Sequence, residues 1–288
     1  MEKLTQKEYW DRLYKAKAVR YKWRKPYCVR LSLKENLKSL TTRLLENKFM
    51  RPYSDYLLWD VIYKKYMPKT KGAKVLEVGS APGYNLVRLS QTFDFIPFGI
   101  EYSDSGVELN RSIFISHNLN PDNVIQADFL SDEFHKQYKR YFDIVISAGF
   151  IEHFTDVEDI IEKHINLLTK GGYLIVSIPN LRGVNYILQW VFQRKILLSM
   201  VDINIMQKGE FLKMFDKECL LTLFCDYYGT FNFGLFNTKR NSPLRFVLTF
   251  CMILQLILNL VFRLLFRNKG VESRLFSPYL IFIGIKKE

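Results

Sequence analysis

Four short stretches of this sequence carry residues that could bind a ligand or move a proton. The first is the turn Glu77-Val78-Gly79-Ser80-Ala81-Pro82-Gly83. The glycines at 79 and 83 allow a sharp turn or a close approach to a ligand, because glycine has no Cβ. Free N–H groups at the start of the next helix could then hold an anionic group. The Gly-x-x-x-Gly spacing matches neither the Gly-x-Gly-x-x-Gly motif of dinucleotide-binding enzymes nor a P-loop. The alternative is a tight strand–helix turn that binds no ligand.

Two acids lie at the ends of the next two predicted strands. Glu101 comes about twenty residues after the turn, where an acid can accept hydrogen bonds from both hydroxyls of a ribose. Asp128 could accept a hydrogen bond from an adenine amino group, and Phe129 could cover the face of that ring. The alternatives are a solvated carboxylate for Glu101 and a helix cap for Asp128.

The fourth stretch follows another predicted strand and reads Ser147-Ala148-Gly149-Phe150-Ile151-Glu152-His153-Phe154. Its first three residues are small and would let a cofactor chain pass close to the strand end. His153 could act as a general base, because an unperturbed imidazole exchanges its proton near neutral pH. The competing explanation, which the sequence alone favours, is that Glu152 and His153 cap or brace the following helix.

Strands and helices alternate through the part of the chain that holds these stretches. The predicted strands are 74–79, 95–101, 123–127, 142–147 and 173–178, and the predicted helices are 84–91, 104–117 and 156–168. This order predicts an α/β fold with a doubly wound, mostly parallel sheet. The ligand should bind beyond the carboxyl ends of the strands. Two later strands, 231–237 and 279–286, would bring the sheet to seven.

Taken in order, the four stretches resemble the class I S-adenosylmethionine-dependent methyltransferases. The resemblance covers about residues 70–180, including a fifth strand from Gly171-Gly172 to Pro179-Asn180. The segment Tyr9-Trp10-Asp11 also resembles sequences near the start of members of this family. At Glu152-His153 it is closest to the ubiquinone-type O-methyltransferases. It implies S-adenosylmethionine as the cofactor and a Rossmann-like sheet. It also implies a binding site made of Glu77, Gly79, Ser80, Gly83, Glu101, Asp128, Phe129 and Ser147.

Within that site, the resemblance places the residues from 77 to 83 at the methionine end, Glu101 at the ribose and Asp128 at the adenine. Some relatives bind a divalent metal through an acid three residues before the glutamate of Glu152-His153. Here that position is Gly149, so we predict no metal. The implied reaction is direct attack of an acceptor on the sulfonium methyl group, with His153 as the candidate base for a hydroxyl acceptor.

The charge of the chain indicates an anionic partner. The net charge is +13, and residues 1–50 contribute 14 Lys/Arg against 5 Asp/Glu. Such an excess suits either an anionic membrane surface or a nucleic acid. The four cysteines form no C-x-x-C pair and residues 1–25 have no apolar core of a signal peptide, so we expect a cytoplasmic protein.

An almost wholly apolar stretch, 246–262, favours the membrane. Polar residues recur every fourth position across and beyond it, at Gln255, Asn259, Arg263 and Arg267, and so define one narrow stripe of a helix. A helix of this kind can lie in a membrane interface, while packing in the core or on a partner is the alternative. The region 184–200 has a similar composition. A span is awkward, because the chain must return to the sheet for 279–286.

These patterns divide the chain into four parts. Residues 1–70 form a basic helical cap, 71–180 the cofactor-binding core, 181–278 an acceptor-binding and membrane-facing helical region with the strand 231–237, and 279–288 the last strand. The leading hypothesis is a methyltransferase at the inner membrane surface that acts on a small-molecule, lipid-linked or glycan acceptor, at oxygen. An RNA or protein methyltransferase with a basic arm and a non-catalytic membrane scaffold are the alternatives.

Overall fold

The computed structural model describes residues 3–22, 51–238 and 242–287. The part of the predicted helical cap between residues 23 and 50 lies outside these residues. Seven strands form one sheet: β1 Lys74–Val78, β2 Ile96–Glu101, β3 Val124–Gln126, β4 Phe142–Ala148, β5 Leu168–Pro179, β6 Leu220–Tyr228 and β7 Tyr279–Lys286.

The sheet has the strand order β3-β2-β1-β4-β5-β7-β6. Strands β1 to β5 run parallel, and β7 pairs antiparallel with both β5 and β6. The strand order reverses between β1 and β4, and the carboxyl ends of these two strands are the expected position of a ligand. The predicted seven-stranded, doubly wound fold with late antiparallel strands is confirmed.

Helices cover both faces of the sheet. They are α1 Lys7–Lys22, α2 in three continuous segments Tyr53–Tyr56, Leu57–Tyr63 and Lys64–Tyr66, α3 Tyr84–Phe93, α4 Asp104–Ser116, α5 Asp132–Gln137, α6 Val157–Leu167, α7 Val184–Ser199, α8 Lys208–Lys213 and α9 Leu244–Phe266. In β1, Val75 packs with α2, α3 and α4, whereas Leu76 and Val78 pack with α5, α6 and α8. The alternation of side chains in the strand therefore supplies two separate apolar layers.

The strand predicted over 231–237 is wrong. The edge strand is β6, which ends at Tyr228, and the chain then turns through Gly229 at φ 104° and Thr230 at φ 52°. Asn232 accepts a hydrogen bond from the backbone N–H of Gly234 and begins a short 3₁₀ turn, Phe233–Leu235. The run of aromatic residues in 231–237 is typical of a strand, which explains the prediction. The Asn232 side chain instead bonds to a backbone N–H group that a strand would use for pairing.

Helix α9 packs on the protein through its polar stripe. Gln255 and Asn259 are buried, and the apolar residues around them are exposed. Gln255 Oε1 accepts a hydrogen bond from Phe233 N at 2.9 Å, and Asn259 Oδ1 accepts one from Tyr53 N at 3.1 Å. The stripe predicted from the sequence is thus present but faces inward. By length and composition, α9 is the one candidate for a membrane span within the described residues.

Candidate functional site

A crevice opens at the carboxyl ends of β1 to β4, where the strand order reverses. Several sequence-predicted residues line it, namely Gly79, Glu101, Asp128, Phe129 and His153. Four further predicted residues do not line it: Glu77, Ser80, Gly83 and Ser147. Those four lie behind the crevice surface or beside it, so their predicted contacts with a cofactor stay predictions.

The glycine turn shapes one side of the crevice. Gly79 has a φ of 70° and Gly83 a φ of 103°, both in the left-handed region that glycine tolerates. Ser80 Oγ accepts a hydrogen bond at 2.6 Å from the Asn110 side-chain amide on α4. A Cβ at Gly83 would lie 2.1 Å from Asn110 Oδ1. Ser80 and Gly83 therefore hold the turn against α4. In this way they position the backbone of Gly79.

We expect Gly83→Ala to lower the free energy of unfolding by about 3 kcal/mol, since left-handed strain and a steric overlap add together. Gly72→Ala is the matched control, because Gly72 has a φ of 73° but no atom lies within 4 Å of the point that an added Cβ would occupy. Gly72→Ala should lower the free energy of unfolding only by the left-handed strain, about 1 kcal/mol. Urea unfolding measures both values, and equal costs for the two variants would contradict a tight fit of the turn against α4.

Two buried polar atoms behind the crevice lack hydrogen-bond partners among the described residues. Glu77 Oε1 accepts a hydrogen bond from the Asn85 amide at 2.8 Å, but its Oε2 has no partner. Ser147 Oγ, at the end of the neighbouring strand β4, has none either. Burial raises the pKa of Glu77 to about 7. Unsatisfied buried polar atoms are costly, but neither of these atoms lines the crevice, so their contact with a cofactor stays a prediction.

Glu101 is a buried carboxylate at the end of β2 that lines the crevice. Its Oε1 accepts hydrogen bonds from the backbone N–H groups of Tyr102 at 3.0 Å and Ser103 at 2.9 Å. Burial raises the pKa of Glu101, and these donors oppose that rise. The backbone bonds fix the orientation of the carboxylate, which leaves it able to accept hydrogen bonds from sugar hydroxyls.

Asp128 and Phe129 follow β3 at the same edge. Asp128 Oδ1 accepts a hydrogen bond from Leu130 N at 3.0 Å, and its Oδ2 lies 2.5 Å from the Lys3 ammonium. Phe129 is buried, with its ring 5.5 Å from that of Phe150. The structure therefore brings Asp128, Phe129 and Glu101 to one crevice, as the resemblance predicts. Their contacts with a nucleoside stay predictions.

His153 lines the crevice and has a fixed ring. Its Nδ1 is 2.8 Å from the carbonyl oxygen of Met200 and 2.9 Å from Thr5 Oγ1. A carbonyl can only accept, so these contacts assign the proton to Nδ1 and leave Nε2 as the acceptor nitrogen. Burial lowers the pKa of His153, whereas it raises the pKa of the neighbouring Glu152 to about 8. Burial therefore favours the uncharged form of both groups.

Residues before and within α1 form a side of the crevice that the sequence did not predict. This side is formed by Lys3, Thr5, Trp10 and Tyr14, which precede or belong to α1. Asp11 holds α1 in place by accepting a hydrogen bond from Ser103 Oγ at 2.6 Å. The i, i+4 spacing of Trp10 and Tyr14 indicated an apolar helix face but not what it covers. Within the described residues, no group of three or more His, Cys, Asp or Glu side chains could hold a metal ion.

The chain is similar in sequence to known methyltransferases. Residues 69–221 match the family described as a methyltransferase domain. A ubiquinone biosynthesis O-methyltransferase of Shewanella sp. (strain ANA-3) is 22% identical over 142 residues, which are 49% of this chain and 58% of that protein. The chain thus spans a little more than half the length of this curated relative.

Two solved structures share the fold. One is the methyltransferase in a Haloferax volcanii complex with the Trm112 activator, with a TM-score of 0.54, 17% identity, and coverage of 89% of this chain and 98% of that one. The other is geranyl diphosphate C-methyltransferase from Streptomyces coelicolor A3(2), with S-adenosyl-L-homocysteine bound, a TM-score of 0.51 and 11% identity over 81% of this chain and 79% of that one.

The family match covers more than half of the chain and includes strands β1 to β5, the glycine turn and the crevice. The sheet order and the nucleoside-compatible carboxylates are independent observations that agree with it. The chain belongs to the class I S-adenosylmethionine-dependent methyltransferases.

Proposed function

We propose that this methyltransferase transfers a methyl group to a hydroxyl oxygen of a small-molecule, lipid-linked or glycan acceptor at the cytoplasmic surface of a membrane. The observation that carries the choice of oxygen is the tautomer of His153. Its Nδ1 is occupied by Met200 and Thr5, and its Nε2 is an acceptor in a ring that lines the crevice. A hydroxyl acceptor needs such a base, whereas a thiolate or neutral amine needs it much less.

S-adenosylmethionine supplies a methyl group on a positively charged sulfur, which needs no further activation by the protein. The residues of this chain then hold and align the two reactants. Glu101 would bind the ribose hydroxyls, with Asp128 and Phe129 at the adenine. Nε2 of His153 would accept the acceptor's hydroxyl proton as the oxygen forms its bond to carbon. The aromatic residues from α1 would limit access of water.

The relatives support parts of this proposal. The Shewanella protein is an O-methyltransferase by name, which agrees with transfer to oxygen. The Streptomyces structure is named for a substrate that carries an isoprenoid chain, which shows that this fold can accept such a molecule. The acceptor pocket of this chain would be shaped by residues 181–278, most of which lie beyond the family match.

The membrane location is supported by α9. From Phe250 to Leu265 every exposed residue of α9 is apolar, and a soluble monomer rarely leaves so large an apolar patch uncovered. Arg263 on the inward stripe donates a hydrogen bond to the carbonyl oxygen of Arg51 at 2.9 Å, and the Arg267 carbonyl accepts one from Tyr53 Oη at 2.8 Å. These bonds favour a helix that lies along the protein and in the membrane plane, with the enzyme peripheral.

The proposal is tested with purified full-length protein, S-adenosylmethionine labelled in the methyl group, and membrane and soluble fractions of cells that lack the protein. We expect the label in extracted lipids or small molecules, with mass spectrometry placing the methyl group on oxygen. Label in RNA or protein would favour the alternative methyltransferase activity. Failure of calorimetry to detect any S-adenosylmethionine binding would favour the non-catalytic scaffold.

A further inference from the structure

The sheet topology places the two apolar helices, α7 and α9, at the same end of the strands as the crevice. Tyr228 at the end of β6 pairs with Tyr279, which pairs in turn with Pro179 at the end of β5. Strand β6 therefore points the same way as β1 to β5. Because α7 follows β5 and α9 follows β6, both helices leave the carboxyl edge of the sheet, where the crevice opens.

Helix α7 carries a second exposed apolar face. Ile187 is 62% exposed, and Trp190 and Val191 are also exposed. The start of the helix is held by the segment that follows α9, since Val184 N donates a hydrogen bond to the Leu275 carbonyl at 2.7 Å. The Leu275 side chain is exposed as well. A backbone hydrogen bond thus joins the start of α7 to the segment that follows α9.

The charges around these faces have one sign. In the sequence from 242 to 278 the single acid is Glu272, and its carboxylate accepts hydrogen bonds from Thr230 and Ser277. The exposed ionisable residues that follow α9 are basic: Arg267, Lys269 and Arg274. A surface with an apolar centre and a basic margin complements an anionic lipid bilayer, which has hydrocarbon beneath negative headgroups.

We propose that α7, α9 and residues 267–275 form one membrane-binding surface, and that the acceptor is an amphipathic molecule whose hydrocarbon chain stays in the same leaflet. A spanning α9 would separate Gln255 from Phe233 and Asn259 from Tyr53, so α9 lies in the plane. The crevice then opens beside the leaflet, and a headgroup reaches it while its chain remains in lipid. This substrate class rests on the proposed methyltransferase function, whereas the membrane-binding surface does not.

The test uses the full-length protein and flotation with vesicles of phosphatidylcholine and phosphatidylglycerol, compared with phosphatidylcholine alone. Phe250 and Leu264 on α9 are each 68% exposed, so Phe250→Glu with Leu264→Glu should leave the fold intact. We expect this double variant to bind the mixed vesicles at least about tenfold more weakly than the wild type. We expect the same of Ile187→Glu on α7. Ile115→Glu is the matched control, because Ile115 on α4 is 62% exposed and lies outside the proposed surface.

The same variants test the substrate class. Incorporation of labelled methyl into lipids of isolated membranes should fall about tenfold in the α9 double variant, in step with binding, and stay unchanged in Ile115→Glu. Unchanged vesicle binding in the α9 and α7 variants would overturn the membrane surface. A wild-type dimer in light scattering that the α9 substitutions dissociate would instead assign this face to a second copy. Label confined to the soluble fraction would overturn the amphipathic acceptor.

These failures are distinguishable from failure of the proposed function. Calorimetry with S-adenosylmethionine reports the crevice alone, and the α9 and α7 variants should bind the cofactor as the wild type does. A wild-type protein that binds vesicles but not the cofactor would keep the membrane surface and remove the methyltransferase assignment.

Discussion

Glu101→Gln is expected to weaken S-adenosylmethionine binding about 100-fold. The amide has nearly the same shape as the carboxylate, but it has one acceptor oxygen and no charge. That oxygen cannot satisfy both the backbone N–H groups of Tyr102 and Ser103 and the ribose hydroxyls. Hydrogen bonds to a charged group contribute about 1.5–3 kcal/mol each, and about 1.4 kcal/mol is a factor of ten in affinity.

Isothermal titration calorimetry measures this loss. Glu108→Gln is the matched control, since Glu108 is an exposed glutamate on α4, one helix turn beyond Ser105. The control should bind the cofactor with unchanged affinity. If Glu101→Gln bound within about threefold of the wild type while remaining folded by circular dichroism, the assignment of Glu101 to the ribose would be wrong.

His153→Gln is expected to slow methyl transfer about 100-fold or more, with little change in cofactor affinity. General base catalysis typically contributes factors of this size. The measurement is the initial rate of transfer of labelled methyl groups into a membrane extract, with calorimetry for the cofactor. His117→Gln, at the C-terminal cap of α4, is a control for substitution of a histidine elsewhere. Equal rates in His153→Gln and the wild type would exclude His153 as the base.

The dependence of this rate on pH separates a base from a structural role. Burial lowers the pKa of His153 below its usual value, so the ring is deprotonated and active at pH 7. At saturating cofactor, the wild-type rate should therefore fall as acid protonates the ring. His153→Gln should lose this acidic limb. A structural role, through Thr5 and Met200, would lower the rate without removing the limb.

The parallel core and the base of the site could be predicted from sequence. Short apolar runs that end at Gly79, Glu101 and Ser147 are typical of buried parallel strands, and residues directly after such strands must meet at one edge. Glu101 and Asp128 were found for this reason. The helix predicted over 104–117 begins at Asp104 as expected, and Ser103 caps it by accepting a hydrogen bond from Gly106 N.

The N-terminal side of the crevice could not be predicted in the same way. Lys3 pairs with Asp128, which is 125 residues away in sequence, and only tertiary packing of α1 on α4 brings them together. For α9, the period of Gln255 and Asn259 defined two faces but not which one the protein covers. Burial and hydrogen bonds to Tyr53 and Phe233 decide that. Strand β6 was missed because an edge strand is half exposed and alternates weakly.

We expect Glu77 to couple the uptake of the positively charged cofactor to the release of a proton. An acid with a pKa of about 7 is partly protonated at neutral pH, and a positive sulfur arriving nearby would lower that pKa. Cofactor affinity should then rise with pH through the neutral range. The heat of binding should differ between phosphate and Tris, which ionise with different enthalpies. Identical heats in the two buffers would show that Glu77 keeps its protonation state.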